Sequence, residues 1–468
     1  MERKPNILFL FTDDQRFNTI NVLGNKEIST PNMDKLVRRG ITFTNAHIPC
    51  GTSIAICMPS RAMLNTGRTL FHIQGAGEQI PKEHTTIGQV LREKGYRTFG
   101  TGKWHNGKES FNRSFSDGAE IFFGGMTDHW NVPAFNYDPS GKYDNICLIT
   151  DNFFYSNETR KRNCDHIHAG KHSSELVSDA SIDFINNYED DKSFYMYISY
   201  LAPHDPRTMP KKYLDMYNPE KIKLPENFLE NHPFNNGALN VRDELLTAFP
   251  RTEEETRRHL AEYYAMITHL DAHLGRILNA LEEKGYLDNT IIIFSSDNGL
   301  ALGSHGLFGK QNCYDHSIRI PLIFCGPGIP KNAQSDANVY LFDIFPTICD
   351  LIGIEIPKSV EGSSLTKAMH NHDEKIRDYL YFAYFNNQRA IKDKKYKLIE
   401  YVVKRNHSMT QLFDLKNDPL ELSNLATNPV YKDKIMKLRQ KMYILRDEWD
   451  DQNSHWGKRF WRYYNEKN

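Results

Sequence analysis

The sequence predicts an α/β protein with a large, mostly parallel central sheet flanked by helices, followed by a smaller C-terminal antiparallel sheet plus helix. Three observations carry this. Short apolar runs at 5–11, 194–201 and 290–294 lack the alternation of half-exposed strands, as expected where helices cover both faces of a parallel sheet. Segments of helical spacing, closed by glycines, lie between them. From about residue 378 the pattern changes to short alternating strands separated by turn residues. The expected division is a main α/β domain over 1–375 and an α+β subdomain over 376–468, packed on it and completing a pocket.

The first strand, 5–11, runs into Thr12-Asp13-Asp14-Gln15. Adjacent carboxylates at the end of a buried strand are costly unless a cation or donors compensate. Thr30-Pro31 begins a helix that Gly40 ends, and 41–46 is the next strand. Cys57-Met58-Pro59-Ser60-Arg61 then opens a helix: Pro59 suits its first turn, Met63 and Leu64 face inward, and Gly67 stops it. Cys57 therefore sits near a helix N-terminus, where free N–H groups and the dipole favour anions, with Arg61 one turn further on. This is an anion site containing a nucleophile.

A helix over 85–94 and a strand over 97–100 lead to Thr101-Gly102-Lys103-Trp104-His105, where alternation puts Lys103 and His105 on one side. Residues 106–172 are rich in Gly, Asn, Asp and aromatics without periodicity, and are expected to wall a substrate pocket. A helix over 174–188 carries Leu176, Ala180, Phe184 and Tyr188 on one side, and the strand 194–201 delivers Pro203-His204-Asp205-Pro206-Arg207. After an irregular excursion over 209–250, Thr252 caps a long helix, with Glu255 expected to reach back to it. The strand 290–294 ends in Asp297-Asn298-Gly299, repeating the arrangement at Asp13-Asp14. Lys310, Tyr314-Asp315-His316, a strand over 320–324 and a helix over 341–352 follow. The C-terminal strands are expected at 379–385, 388–392, 396–401 and 411–415, with a final helix over 429–450.

With 58 Lys+Arg against 59 Asp+Glu in 468 residues, charge gives no case for a nucleic-acid partner. No apolar run is long enough for a membrane span. Seven cysteines do not make a disulfide framework, although Cys147 and Cys164 share a loop-rich region and could bridge. Arg3-Lys4 and the short apolar run after them do not form a signal peptide. The protein is either cytoplasmic, if Met1 is native, or periplasmic or secreted after loss of a targeting segment.

In a mostly parallel sheet the strand-end residues Asp13, Asp14, Cys57, Arg61, Lys103, His105, His204, Asp297, Asn298 and Lys310 converge on one crevice. Cys-x-Pro-Ser-Arg followed by Leu-x-Thr-Gly-Arg resembles the signature of the type I, formylglycine-dependent sulfatases of the alkaline-phosphatase-like superfamily. The Asp-Asp pair, Lys-Trp-His, Pro-His, Asp-Asn-Gly and Gly-Lys motifs agree with it in order, and Leu412-Phe413-Asp414-Leu415 with Asp418-Pro419 extends the resemblance to the C-terminal part. The departure is Tyr314-Asp315-His316-Ser317, where many members have Tyr-Glu-Gly-Gly, which bears on substrate choice.

The resemblance implies that a formylglycine-generating maturation enzyme oxidises Cys57 to Cα-formylglycine. It implies a divalent ion held by Asp13, Asp14, Asp297, Asn298 and the modified Cys57. Oxygen ligands suit Ca²⁺, with Mg²⁺ as the alternative. One hydroxyl of the aldehyde hydrate would attack sulfur, assisted by the ion and Arg61. His204 or Lys310 would protonate the leaving alcohol, and His105 would take the proton that lets sulfate leave. Lys103 and Lys310 would stabilise charge on the sulfate oxygens. The expected substrate is a sulfated saccharide attacked in exo fashion, with His129, Trp130, Arg207 and His316 as candidates for gripping the sugar. The rivals are a phosphonate monoester or phosphodiester hydrolase, and a glycan-binding protein with an unmodified cysteine.

Overall fold

The computed structural model describes residues 4–150, 154–371 and 373–465; Met1 and Arg3 lie outside them. An eight-stranded sheet forms the centre. In chain order its strands are β1 (Asn6–Thr12), β2 (Gly40–Phe43), β4 (Arg97–Lys103), β5 (Asp117–Phe122), β6 (Phe194–Ser199), β7 (Thr290–Ser296), β8 (Leu322–Cys325) and β9 (Ala333–Ser335). The short strand β3 (Cys50–Gly51) belongs elsewhere. The spatial order is β9-β2-β8-β7-β1-β6-β4-β5. Only β8 runs antiparallel to its neighbours. β1 is buried throughout and sits between β6 and β7.

Alternation along β1 explains the two layers. Leu8 and Leu10 pack into a core with α1 (Pro31–Arg39), α5 (Ser173–Asn186) and α6 (Glu253–Glu283). Ile7, Phe9 and Phe11 face the opposite core, with α2 (Cys57–Thr66), α3 (Ile87–Glu93), α4 (Lys108–Ser114) and α7 (Ile344–Leu351). The second sheet packs into that core. Its strands are β10 (Leu380–Tyr384), β11 (Gln388–Lys392), β12 (Tyr396–Val403) and β13 (Asn406–Asp414), in the order β13-β12-β11-β10-β3. β3 joins parallel to β10, so the segment just before Cys57 is a strand of the C-terminal sheet.

Several expectations change in detail. The strand expected over 41–46 is interrupted after Phe43 and resumes as Ala46–His47. Helix α3 is capped by Thr86, whose hydroxyl accepts from Gln89 N–H. Thr252 caps α6 by accepting from Glu255 N–H, but the Glu255 carboxylate turns to the Thr247 hydroxyl rather than back to the cap. Residues 106–172 are less irregular than expected: they hold α4, the edge strand β5, and an antiparallel hairpin, Ile146–Ile149 with Arg160–Asn163. The last expected helix ends at Glu448 as α8 (Lys432–Glu448), and α9 (His455–Asn465) follows it. All seven cysteines are free thiols; Cys147 Sγ lies 3.6 Å from the Cys164 carbonyl oxygen without a bridge. No helix among the described residues is long and apolar enough to cross a membrane.

A fully buried ion pair helps fasten the C-terminal helices. Arg389 on β11 meets Asp451 through Nε at 2.6 Å and Nη2 at 2.8 Å. Asp451 also accepts from the Tyr381 hydroxyl and the Trp461 indole. Both charged side chains are fully buried. Replacing Asp451 by Ala is expected to destabilise the protein by about 3–5 kcal/mol, because it strands a buried guanidinium. Denaturant unfolding of Asp451→Ala against the parent checks this.

Candidate active site

The C-terminal ends of β1, β4, β6 and β7 lie side by side, because these strands pair in parallel. The register Thr12↔Ser296 puts Asp13 next to Asp297. Asp14 has φ +65°, a left-handed conformation that Asp tolerates, and the turn lets both aspartates contribute to one cluster. Gly102 (φ +81°) precedes Lys103; a Cβ there would lie 1.9 Å from the Ser199 carbonyl oxygen, so only glycine lets β4 and β6 close up at this point.

Cys57 is the first residue of α2, which Gly67 ends in the left-handed conformation. Nearly every residue of α2 is buried. Cys57 Sγ lies 3.5 Å from Lys103 Nζ and 3.6 Å from His105 Nδ1. Burial pushes the thiol pKa up, against the pull of Lys103 and Lys310.

Arg61 lies behind this point. Its Nε and Nη2 are each 2.9 Å from Asp297 Oδ2, and Nη2 is 3.0 Å from Asp13 Oδ2. Nη1 donates to the Ser199 hydroxyl at 2.6 Å and to the Lys103 carbonyl at 3.3 Å. Lys103 Nζ is 2.5 Å from Asp13 Oδ2, and Lys310 Nζ is 2.5 Å from Asp14 Oδ1. Asn298 Nδ2 donates to Asp14 Oδ1 at 2.6 Å, and Asp14 N–H donates to Asp297 Oδ1 at 3.1 Å.

The electrostatics follow from this crowding. Burial would raise the Asp13 pKa, but Lys103 and Arg61, with His204 and Lys310, drive it far below the ordinary carboxylate range. Asp297 is pushed up to about 6 by burial and by Asp13, against Arg61 and Lys103. Burial and then Lys103 and Arg61 bring His105 down to about 2, so its imidazole is neutral. Asp13 Oδ1 and Asn298 Oδ1 are buried oxygens with no hydrogen-bond partner. Asp13, Asp14, Asp297 and Asn298 could hold a divalent cation at these oxygens.

His204 Nδ1 donates to the Asp205 carbonyl at 2.7 Å, which leaves Nε2 facing Asp14 Oδ2 at 3.8 Å. Two neighbours brace it: Arg242, which the sequence did not single out, and His129, expected instead to grip a sugar. The Asp205 carboxylate forms a two-pronged ion pair with Arg242, from the irregular excursion. His129 Nε2 donates to the His204 carbonyl at 3.0 Å.

The four sugar candidates separate. His129 is buried, with Nδ1 on the Ser173 hydroxyl at 2.6 Å, so it supports the His204 loop and has no edge free for a sugar. Trp130 is half-buried and packs edge-on against His172. Arg207 Nη1 is 3.0 Å from His259 Nδ1. His316 is 4% exposed, close to Tyr314 and His305, with neither ring nitrogen hydrogen-bonded. It presents no solvent-facing edge to a sugar.

One cavity adjoins the crevice and a second adjoins the first. The first, of ≈ 480 Å³, is lined by His105, Trp104, Lys108 and Phe123. The next, ≈ 900 Å³, shares Phe123 and Gly124 and adds Asp128, Asn131, Arg162 and Asn163. The segment 106–172 therefore does wall a pocket beside His105.

Ser60 and Ser199 were missed as site residues. Ser60 was visible inside the Cys57 motif; its hydroxyl donates to the Asp297 carbonyl at 2.6 Å. Ser199 ends β6 and had no signal beyond that.

The Sulfatase family model matches residues 5–354 of this chain. The chain belongs to the sulfatase family. A second model, described as N-sulphoglucosamine sulphohydrolase, C-terminal, matches residues 303–448 of this sulfatase. An arylsulfatase of Clostridium perfringens is 30% identical over 93% of each chain. An N-acetylglucosamine-6-O-sulfatase of Bacteroides thetaiotaomicron is 25% identical over 96% of this chain and 87% of its own. The solved structure of BT4656 in complex with its substrate D-glucosamine-2-N,6-O-disulfate shares the fold, with a TM-score of 0.76 at 24% identity, over 96% of this sulfatase and 99% of that chain.

The brace on His204 makes a prediction for this sulfatase. Arg242→Ala frees Asp205 and loosens the His204 loop. Turnover of an aryl sulfate is expected to fall about 10- to 100-fold, the effect of a small misplacement of a reacting group, and Arg242→Lys should recover part of it. Steady-state kinetics of the two variants check this.

Proposed function

We propose that this sulfatase removes sulfate from an O-sulfated saccharide in exo fashion, with a formylglycine made from Cys57 and a divalent cation, Ca²⁺ or Mg²⁺, held by Asp13, Asp14, Asp297 and Asn298. The observation that carries this is the meeting of Cys57 with Lys103, His105 and the carboxylate cluster at the strand ends. The cation is supported by the two orphaned oxygens and by the rise of Asp297, both of which an added positive charge would relieve. When bound, it supplies the charge that lets an anionic ester approach three carboxylates. The modified residue is supported by the Cys57-Met58-Pro59-Ser60-Arg61 motif at the start of α2 in a chain of the sulfatase family. A hydrated aldehyde supplies an oxygen nucleophile and a carbon–oxygen bond through which sulfate can be released.

The chain's own residues divide the remaining work. Lys103 and Lys310 are held cationic by Asp13 and Asp14, so each offers fixed positive charge to sulfate oxygens. His105, neutral and facing Cys57, accepts a proton at Nδ1. His204, held at Nδ1 by the Asp205 carbonyl, turns Nε2 toward the cluster and is placed there to pass a proton to the departing alcohol. Arg61 pairs with Asp13 and Asp297 and serves to position both carboxylates. The saccharide is supported by the cavity beside His105, which leads on to a larger one carrying Asp128, Asn131, Arg162 and Asn163, and by the naming of the Bacteroides thetaiotaomicron relative.

Turnover on defined sulfated saccharides, beside a phosphate diester, tests the activity: release of sulfate from the saccharides is expected, and exclusive diester cleavage would sink it. Cys57→Ala should abolish turnover and keep saccharide binding. The Cys57 peptide of the mature protein should be about 18 Da lighter than the unmodified one, as SH and H are exchanged for O. Asp297→Ala should lower bound calcium as measured by elemental analysis; unchanged content would remove Asp297 from the ligand set.

A further inference from the structure

Outside the crevice, Glu120, His166 and His168 form a second cluster of ligand atoms, all within 4.8 Å of one another. Glu120 Oε2 lies 3.1 Å from His166 Nε2, and Glu120 Oε1 lies 3.2 Å from His168 Nε2. A tetrahedral ion with bonds near 2.1 Å wants donors about 3.4 Å apart, and each imidazole already lies close to that distance from one Glu120 oxygen. The three residues have no part in the chemistry at Cys57.

The backbone holds the donors in place. Glu120 is the extra residue where the pairing of β4 with β5 shifts register, between Thr101↔Ala119 and Gly102↔Ile121, and it has φ +50°. Such a bulge re-aims a side chain at a sheet edge. His166 belongs to the two-residue strand His166–Ile167, paired with Pro133–Ala134. That strand is tied to β5 by reciprocal hydrogen bonds between Ile121 and Phe135, at 2.8 and 2.9 Å. The spacing of His166 and His168 puts both imidazoles on one side of an extended chain. The Glu120 and His166 side chains are about three-quarters or more buried and that of His168 is half exposed, so the cluster is formed yet reachable. It opens on a cleft of ≈ 670 Å³ lined by Glu120, His168, Lys171 and Asp179. Lys171 there is engaged by Asp179 at 2.5 Å.

We propose that Glu120, His166 and His168 bind a borderline divalent metal of the Zn²⁺ type, with the fourth position open to water from the cleft. Two imidazoles and a carboxylate select such an ion over Ca²⁺ or Mg²⁺, which take oxygen donors. The ion would clip the edge strand β5 to the segment that walls the pocket beside His105.

The test is titration of chelator-stripped protein with Zn²⁺ by calorimetry, and with Co²⁺ by visible absorption, in buffer holding excess Ca²⁺. One equivalent is expected to bind, with no thiolate-to-cobalt band. His166→Ala/His168→Ala should weaken binding more than about a hundredfold, since removing a ligand exceeds the 10- to 100-fold loss typical of its supporting partners. His168→Asn, at an exposed position, gives a gentler variant. Zn²⁺ should raise the melting temperature of the parent and not of either variant, while the metal-free melting temperatures agree. Absence of binding overturns the proposal. So does equal binding in the double variant, or a thiolate band that disappears in Cys57→Ala.

Discussion

The Arg61 guanidinium, clamped between Asp13 and Asp297, is the contact on which the active-site end of this sulfatase depends. Three carboxylates gather there out of reach of water. Alone, each would be protonated or would push the strand ends apart. Arg61 comes from α2, Lys103 from the end of β4 and Lys310 from a later loop, so three separate parts of the chain supply the compensating charge. None of these pairs is local in sequence. The compensation exists only when β1, β4, β6 and β7 stand in order, which makes the site and the sheet one electrostatic problem.

The same constraint accounts for the second sheet. Cys50 and Gly51 are paired with β10 a few residues before Cys57, so the entry to α2 is held by C-terminal strands. Asp315, shortly after Lys310, is buried against Lys392 of β11 at 3.1 Å and Lys397 of β12 at 2.7 Å. Lys397 in turn meets Glu421 at 2.5 Å. Burial of ions on this scale adds little net stability, but breaking any one pair is expensive, so the geometry is specified tightly. The loops carrying Cys57 and Lys310 are thus anchored from behind by strands that contribute no group to the carboxylate cluster.

Much of this was legible in the chain. Asp13-Asp14 and Asp297-Asn298 were identifiable because carboxylates at the end of an uninterrupted apolar run have no reason to be there unless something compensates them. Lys103, His105, His204 and Lys310 followed by the same logic, and the structure brings all of them to one place. Arg242 and His129 were not legible as supports for His204. Arg242 sits in an aperiodic excursion, and His129 looks the same in sequence whether it grips a ligand or a carbonyl. The short strands within 106–172 were missed because two- to four-residue strands leave no periodicity; their partners, not their composition, define them.

The amino-acid sequence by itself determined the fold class, the inventory of charged strand ends and the family, because apolar periodicity and motif order are local properties of the chain. Only the tertiary structure decided which cation meets which carboxylate. It showed that Arg61 is clamped between Asp13 and Asp297, and that His316 is sealed in the interior while His129 braces a loop. It also brought Glu120 to His166 and His168, 46 residues apart at the nearer pair. Side-chain direction and partner choice depend on what else is packed within a few ångströms, and distant segments supply those neighbours only after they have folded together.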